Sequence, residues 1–75
     1  MTVYNFSVVL EKEGDGYVSH NVQLGIASQG KTVEEAIENI KEASELYIRH
    51  CDRAMLAPYL KLREPMTANI EVSGA

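Results

Sequence analysis

Gln29-Gly30-Lys31-Thr32-Val33-Glu34-Glu35-Ala36-Ile37-Glu38-Asn39-Ile40 is the stretch on which the fold turns. Thr32-Val33-Glu34-Glu35 has the form of a capping box: the Thr32 hydroxyl accepts the amide of Glu35, whose carboxylate reaches back to the amide of Thr32. Glu34 and Glu35 also put negative charge at the positive end of the helix dipole. Beyond the cap, Val33, Ala36, Ile37, Ile40, Ala43, Ser44, Tyr47 and Cys51 recur at spacings of three and four, one apolar stripe on an amphipathic helix. Glu34, Glu38, Lys41, Glu42, Glu45 and Arg49 take the remaining faces. Glu38 and Glu42 repel slightly across one turn, whereas Glu45 and Arg49 attract. The pattern predicts a helix from Val33 to near Met55, stopped by Pro58.

Upstream of this helix the period changes to two. Tyr4, Phe6, Val8 and Leu10 fall on one face of a strand over Val3 to Glu11; Asn5, Ser7 and Glu11 fall on the other with Val3 and Val9. Glu13-Gly14-Asp15-Gly16 supplies residues that accept a tight reversal, and Tyr17-Val18-Ser19-His20 resumes the extended pattern, so a hairpin is predicted. Asn21 to Gly25 reads as a second, looser reversal, and Ile26-Ala27-Ser28-Gln29 as a third strand ended by Gly30.

Downstream, residues 57–66 read as a connector containing Pro58 and Pro65, in which Tyr59, Leu60 and Leu62 pack down. Ala68, Ile70 and Val72 alternate with Asn69, Glu71 and Ser73 as a final strand. The expected fold is α+β, in the order β-β-β-α-β: an antiparallel meander, one helix on one face, and a fourth strand parallel to the first. A right-handed crossover gives the sheet order 3-2-1-4. The other sheet face is left bare. Val3 and Val9, with Leu46 and Ile48 off the main helical stripe, are then apolar groups that one copy does not cover, which favours self-association.

Size and composition point the same way. The chain has 75 residues, room for a single domain over 1–75. A chain this short buries about 60 to 65% of its unfolded surface, and its one cysteine, Cys51, offers no disulfide. Small domains of this kind gain stability by assembling, so a homo-oligomer, dimer or tetramer, is expected. Residues 1–6 show no basic segment leading into an apolar one, no apolar run approaches the ~18 residues of a membrane span, and the unpaired cysteine fits a reducing cytoplasm. The formal net charge of −4 argues against holding nucleic acid by phosphate neutralisation alone.

Gly16-Tyr17-Val18, Leu24-Gly25, and the run from Gln29 to Ala43 together resemble the HicB-like antitoxin family, over roughly residues 3 to 50. The Gly-x-Thr-x-x-Glu-Ala helix start, here Gly30, Thr32, Glu35 and Ala36, is the most specific element. With Gly16, Tyr17 and Gly25 these residues form the structural signature of the resemblance. Asn21 stands where members often carry proline, and Ile26 where cysteine is common. The resemblance implies a reduced ribonuclease-H-like fold and a non-catalytic, cytoplasmic domain that sequesters a small basic mRNA interferase, the toxin of a toxin–antitoxin pair. Many members continue into a DNA-binding domain. This chain ends at Ala75 after the fourth strand, so toxin binding without direct DNA binding is the expectation. No cofactor, metal, membrane or small-molecule substrate is implied.

The chemistry-bearing residues fit that expectation. His50-Cys51-Asp52 are helix neighbours about 100° apart and do not converge on one ion; Cys51 lies on the apolar stripe, where a free cysteine packs as a small hydrophobe. His20 reads as a partly exposed strand residue. Glu11, Glu13 and Asp15 lie on or beside a turn, which accounts for Asp15, whereas two-metal catalysis needs carboxylates held together around the ions. Gly14-Asp15-Gly16 lacks the Gly-Lys-Ser/Thr of a phosphate loop, and Glu34 and Glu35 repel an anion from the helix start. Tyr4, Phe6, Tyr17, Tyr47 and Tyr59 read mostly as core. Arg49, Arg53, Lys61 and Arg63 make a basic C-terminal half, the feature on which the alternative rests: a small RNA-binding or vestigial nuclease protein of ribonuclease-H-like fold.

Overall fold

The computed structural model describes residues 3–62 and 64–74, and the side chains at 53 and 62 lie outside it. Its elements are β1 (Val8–Glu13), β2 (Gly16–Asn21), β3 (Ile26–Gly30), α1 (Val33–Arg49) and α2 (Arg53–Leu62). The three strands form one antiparallel sheet in the order β1-β2-β3.

Both reversals close on glycine. Glu13 pairs with Gly16 across a two-residue loop, in which Gly14 has a φ of 59° and no other residue has positive φ. A positive φ at the first central position alone is the type II′ arrangement, whose twist matches that of the strands. The second reversal ends at Gly25, with a φ of 70°, where its N–H donates to the Asn21 carbonyl at 2.9 Å.

The α1 start is as expected at Thr32, whose hydroxyl accepts the Glu35 N–H at 3.1 Å. The Glu35 carboxylate reaches one residue further back than expected, to the N–H of Lys31 at 3.2 Å. Gly30 is required here by close approach: a Cβ on it would lie 2.5 Å from the Ala36 nitrogen.

α1 lies over β3 and β2 and scarcely over β1. It meets the sheet along Ala36, Ile40 and Ser44, all buried. The row continues through Ile48, half-buried against a core of Leu24, Leu56 and Leu60, which corrects its placement among the uncovered groups. Ile37 and Tyr47, expected on the buried stripe, are exposed. The reason is geometric: one helix on a small sheet buries only the i, i+4 row facing the strands.

Four further expectations are corrected. α1 stops at Arg49 with His50 as its C-cap, not near Met55. Asp52 restarts the chain as a new helix, its Oδ1 accepting the Ala54 N–H at 3.0 Å, as an N-cap aspartate does. Pro58 therefore lies inside α2, in what was read as a connector. Residues 3–7 lie outside the ladder, with Tyr4 and Phe6 stacked at 6.1 Å and packed on the Leu24 cluster. Among the described residues there is no fourth strand: 64–74 form no ladder. A strand's hydrogen bonds come from a neighbour, so alternation at Ala68, Ile70 and Val72 does not by itself make one.

Candidate functional site

Antiparallel pairing fixes which residues share each face of the sheet. Val8, Leu10, Tyr17, Ser19, Asn21, Ile26, Ser28 and Gly30 lie on the α1 side, by the registers Val8↔Asn21, Leu10↔Ser19, Tyr17↔Gly30, Ser19↔Ser28 and Asn21↔Ile26. Val9, Glu11, Val18, His20, Ala27 and Gln29 lie on the opposite face, which no element of the described chain covers.

Between sheet and helix the buried row is polar. Ser19 donates from Oγ to the Ala36 carbonyl at 2.8 Å. Asn21 donates from Nδ2 to Ser44 Oγ at 2.9 Å and accepts the Leu24 N–H on Oδ1 at 3.2 Å. Ser44 in turn donates from Oγ to the Ile40 carbonyl at 2.7 Å. At the outer end, Asn39 Nδ2 donates to the Gln29 carbonyl at 2.7 Å. Among the described residues no buried side-chain nitrogen or oxygen lacks a partner. The network docks α1 at one position on the strands. Its Ser19, Asn21 and Ser44 groups are buried and satisfied, so they leave nothing free for a ligand.

Sequence reasoning passed over this network. Ser19 and Asn21 were legible only as strand and turn residues, and the available clue was their period-two spacing together with Ser44 on the helical stripe.

The uncovered face is shallow and mixed. Glu11 Oε1 lies 3.0 Å from His20 Nε2, a contact that becomes an ion pair when the imidazole is protonated. The pair is diagonal, since Glu11 opposes Val18 and His20 opposes Val9. His20, Val9, Val22, Ile26 and Ala27 border a solvent-open hollow at one end of this face. A second apolar region joins the helices, where Tyr47, Cys51, Met55, Leu56, Pro58 and Tyr59 line a hollow with little polar surface.

The residues singled out for chemistry stay dispersed. Cys51 is half-buried against the Leu24 cluster, with its thiol directed at the Ile48 carbonyl at 3.2 Å; Asp52 caps α2, and His50 caps α1. Among the described residues no group of three or more His, Cys, Asp or Glu side chains could hold a metal ion. Glu13 and Asp15 are exposed at the hairpin. Arg49 and Lys61 are exposed too, while Arg63 and the Arg53 side chain lie outside the described residues. Of the signature residues, Gly16, Tyr17, Gly30 and Glu35 line one open hollow at the α1 start. Thr32 caps that helix, Ala36 is buried beneath it, and Gly25 closes the second turn.

These features define a class: a small α+β domain, with a three-stranded antiparallel sheet, a helix on one face, and its surface on offer as open sheet and exposed apolar side chains. The chain belongs to the UPF0150 family. It is 41% identical over 70 residues to a UPF0150 protein of Helicobacter pylori, across 92% of this chain and 96% of that protein. It is 58% identical over 48 residues to a UPF0150 protein of Synechocystis sp., and this match spans about three fifths, 61%, of each chain. A third relative, from Thermoplasma acidophilum, is 47% identical over 45 residues, covering 57% of this chain and 65% of that protein. No protein-family model matches the chain, and no solved structure matches it. No helix among the described residues is long and apolar enough to cross a membrane.

Proposed function

We propose that this UPF0150 chain is a HicB-like antitoxin domain: a non-catalytic, cytoplasmic protein that sequesters a small basic mRNA interferase. The observation that carries the reading is apolar surface left open on a domain with little core to spare. Val9 on the uncovered sheet face, and Leu46, Tyr47, Met55 and Tyr59 along the helices, are all exposed. Exposed apolar side chains that adjoin, as Tyr47, Met55 and Tyr59 do around one hollow, are the usual mark of a protein-binding surface. The acidic balance, −4 overall, favours encounter with a basic partner. The hairpin and helix-start residues Gly16, Tyr17, Gly30, Thr32, Glu35 and Ala36 support the family resemblance, and UPF0150 membership is consistent with it.

The test is co-expression with the adjacent short reading frame, co-purification, and an RNA-cleavage assay of the partner with increasing amounts of this chain. Cleavage should fall in proportion and stop at the stoichiometric ratio. A partner that stays active in the presence of excess chain overturns the reading. Metal-dependent RNA degradation by this chain alone would put a small nuclease in its place.

A further inference from the structure

β1 is the first strand of the sheet order β1-β2-β3, so its outer side presents backbone N–H and C=O groups that no strand among the described residues pairs with. Open edges of this kind accept another strand unless something blocks them. Its α1-facing side is open as well: Val8 and Leu10 are exposed because α1 sits over β2 and β3.

The same chain carries a strand without a sheet. Residues 64–74 form neither helix nor turn and join no ladder. Within them Ala68, Ile70 and Val72 alternate with polar Asn69, Glu71 and Ser73. Ile70 and Val72 are 83% and 79% exposed, although β-branched residues at period two suit a half-buried strand. The overall dimensions agree. The radius of gyration is 14.7 Å, with extents of 49 × 28 × 15 Å, whereas a compact chain of this length has a radius of about 11 Å.

We infer that residues 68–73 add as a fourth strand to the free edge of β1 in a second copy of this chain, reciprocally, to form a strand-exchanged dimer. The two parts match in length, six residues against the six of β1. They match in pattern: opposed residues share a face, so Ile70 set opposite Leu10 covers the open side of β1, in either strand direction, and leaves Asn69, Glu71 and Ser73 on the other face. Each copy holds an open β1 edge and a free strand, so a two-fold exchange pairs both β1 edges at once and leaves the β3 edges as they are. It also supplies the fourth strand that the sequence pattern specifies and the single copy lacks. The inference does not depend on the antitoxin reading.

Sedimentation equilibrium of the whole chain should give a dimer. Ile70→Pro, which removes an N–H from the added strand at a site far from the core, should give a monomer with an unchanged helical circular dichroism signal. In a Cys51→Ser background, Leu10→Cys chains mixed with Ile70→Cys chains and oxidised should yield a disulfide-linked pair joining one chain of each kind. A monomeric parent chain, a dimer that survives Ile70→Pro, or failure of the mixed pair to link would each overturn the exchange. So would a Leu10→Cys/Ile70→Cys double variant that closes only within single chains, since the strand would then fold back on its own copy.

Discussion

Asn21 ties the second turn of the sheet to α1. At 1% exposed, it holds the Leu24 N–H in the turn and the Ser44 hydroxyl on α1. Asn21→Ala leaves the Leu24 N–H without its acceptor and opens a void beneath α1; a loss of about 2–3 kcal/mol is expected, read from the urea midpoint. Glycines divide by cause. Gly30→Ala drives a Cβ against the backbone of Ala36 and Glu35, neither of which moves without shifting α1, and should cost more than about 2 kcal/mol. Gly14→Ala meets nothing within 4 Å and bears only the strain of its φ of 59°, about 1–2 kcal/mol. Thermal denaturation of the two variants side by side checks the order. Gly30 was legible in the sequence as a strand end and a motif position. The contact that forbids a side chain there was not, because it depends on how closely α1 approaches β3.

At the scale of elements, what lay within a few residues was readable and what lay across the molecule was not. The Thr32 cap placed the α1 start correctly, because the bond to Glu35 spans three residues. The α1 end was misplaced because apolar spacing continues smoothly through Tyr47 and Cys51, while Asp52 offers a cap that begins a separate helix. Leu56 and Leu60, one turn apart on α2, bury themselves against Leu24, and this packing holds a helix through Pro58. A proline there cannot donate to the Ala54 carbonyl. Pro58→Ala restores that donor at an exposed site, so it should raise helical ellipticity and stabilise the domain by about 1–3 kcal/mol. An unchanged signal would mean that α2 does not extend through residue 58.

At the scale of the whole molecule, stability and assembly are one question. A 75-residue chain whose buried apolar core among the described residues is Leu24, Ala36, Ile40, Leu56 and Leu60 has little margin on its own. Covering Ile70 and Val72 contributes about 1.5–3 kcal/mol for each side chain fully buried. If exchange supplies that burial, the midpoint temperature depends on mass action. Calorimetry across about a hundredfold range of concentration should then show the midpoint rising by several degrees. A midpoint independent of concentration would mean a fold complete in one copy.

The sequence by itself determined the three-stranded meander, its two glycine-closed reversals and the start of α1, since each rests on alternation or on bonds between near neighbours in the chain. Tertiary structure alone decided the rest. The row from Ala36 to Ile48, rather than Ile37 and Tyr47, faces inward because α1 lies across β2 and β3. Ser19 and Asn21 became buried hydrogen-bonding groups because a helix with Ser44 covers them. The alternating segment from Ala68 to Ser73 stayed outside the sheet because its pattern specifies a strand without specifying a partner.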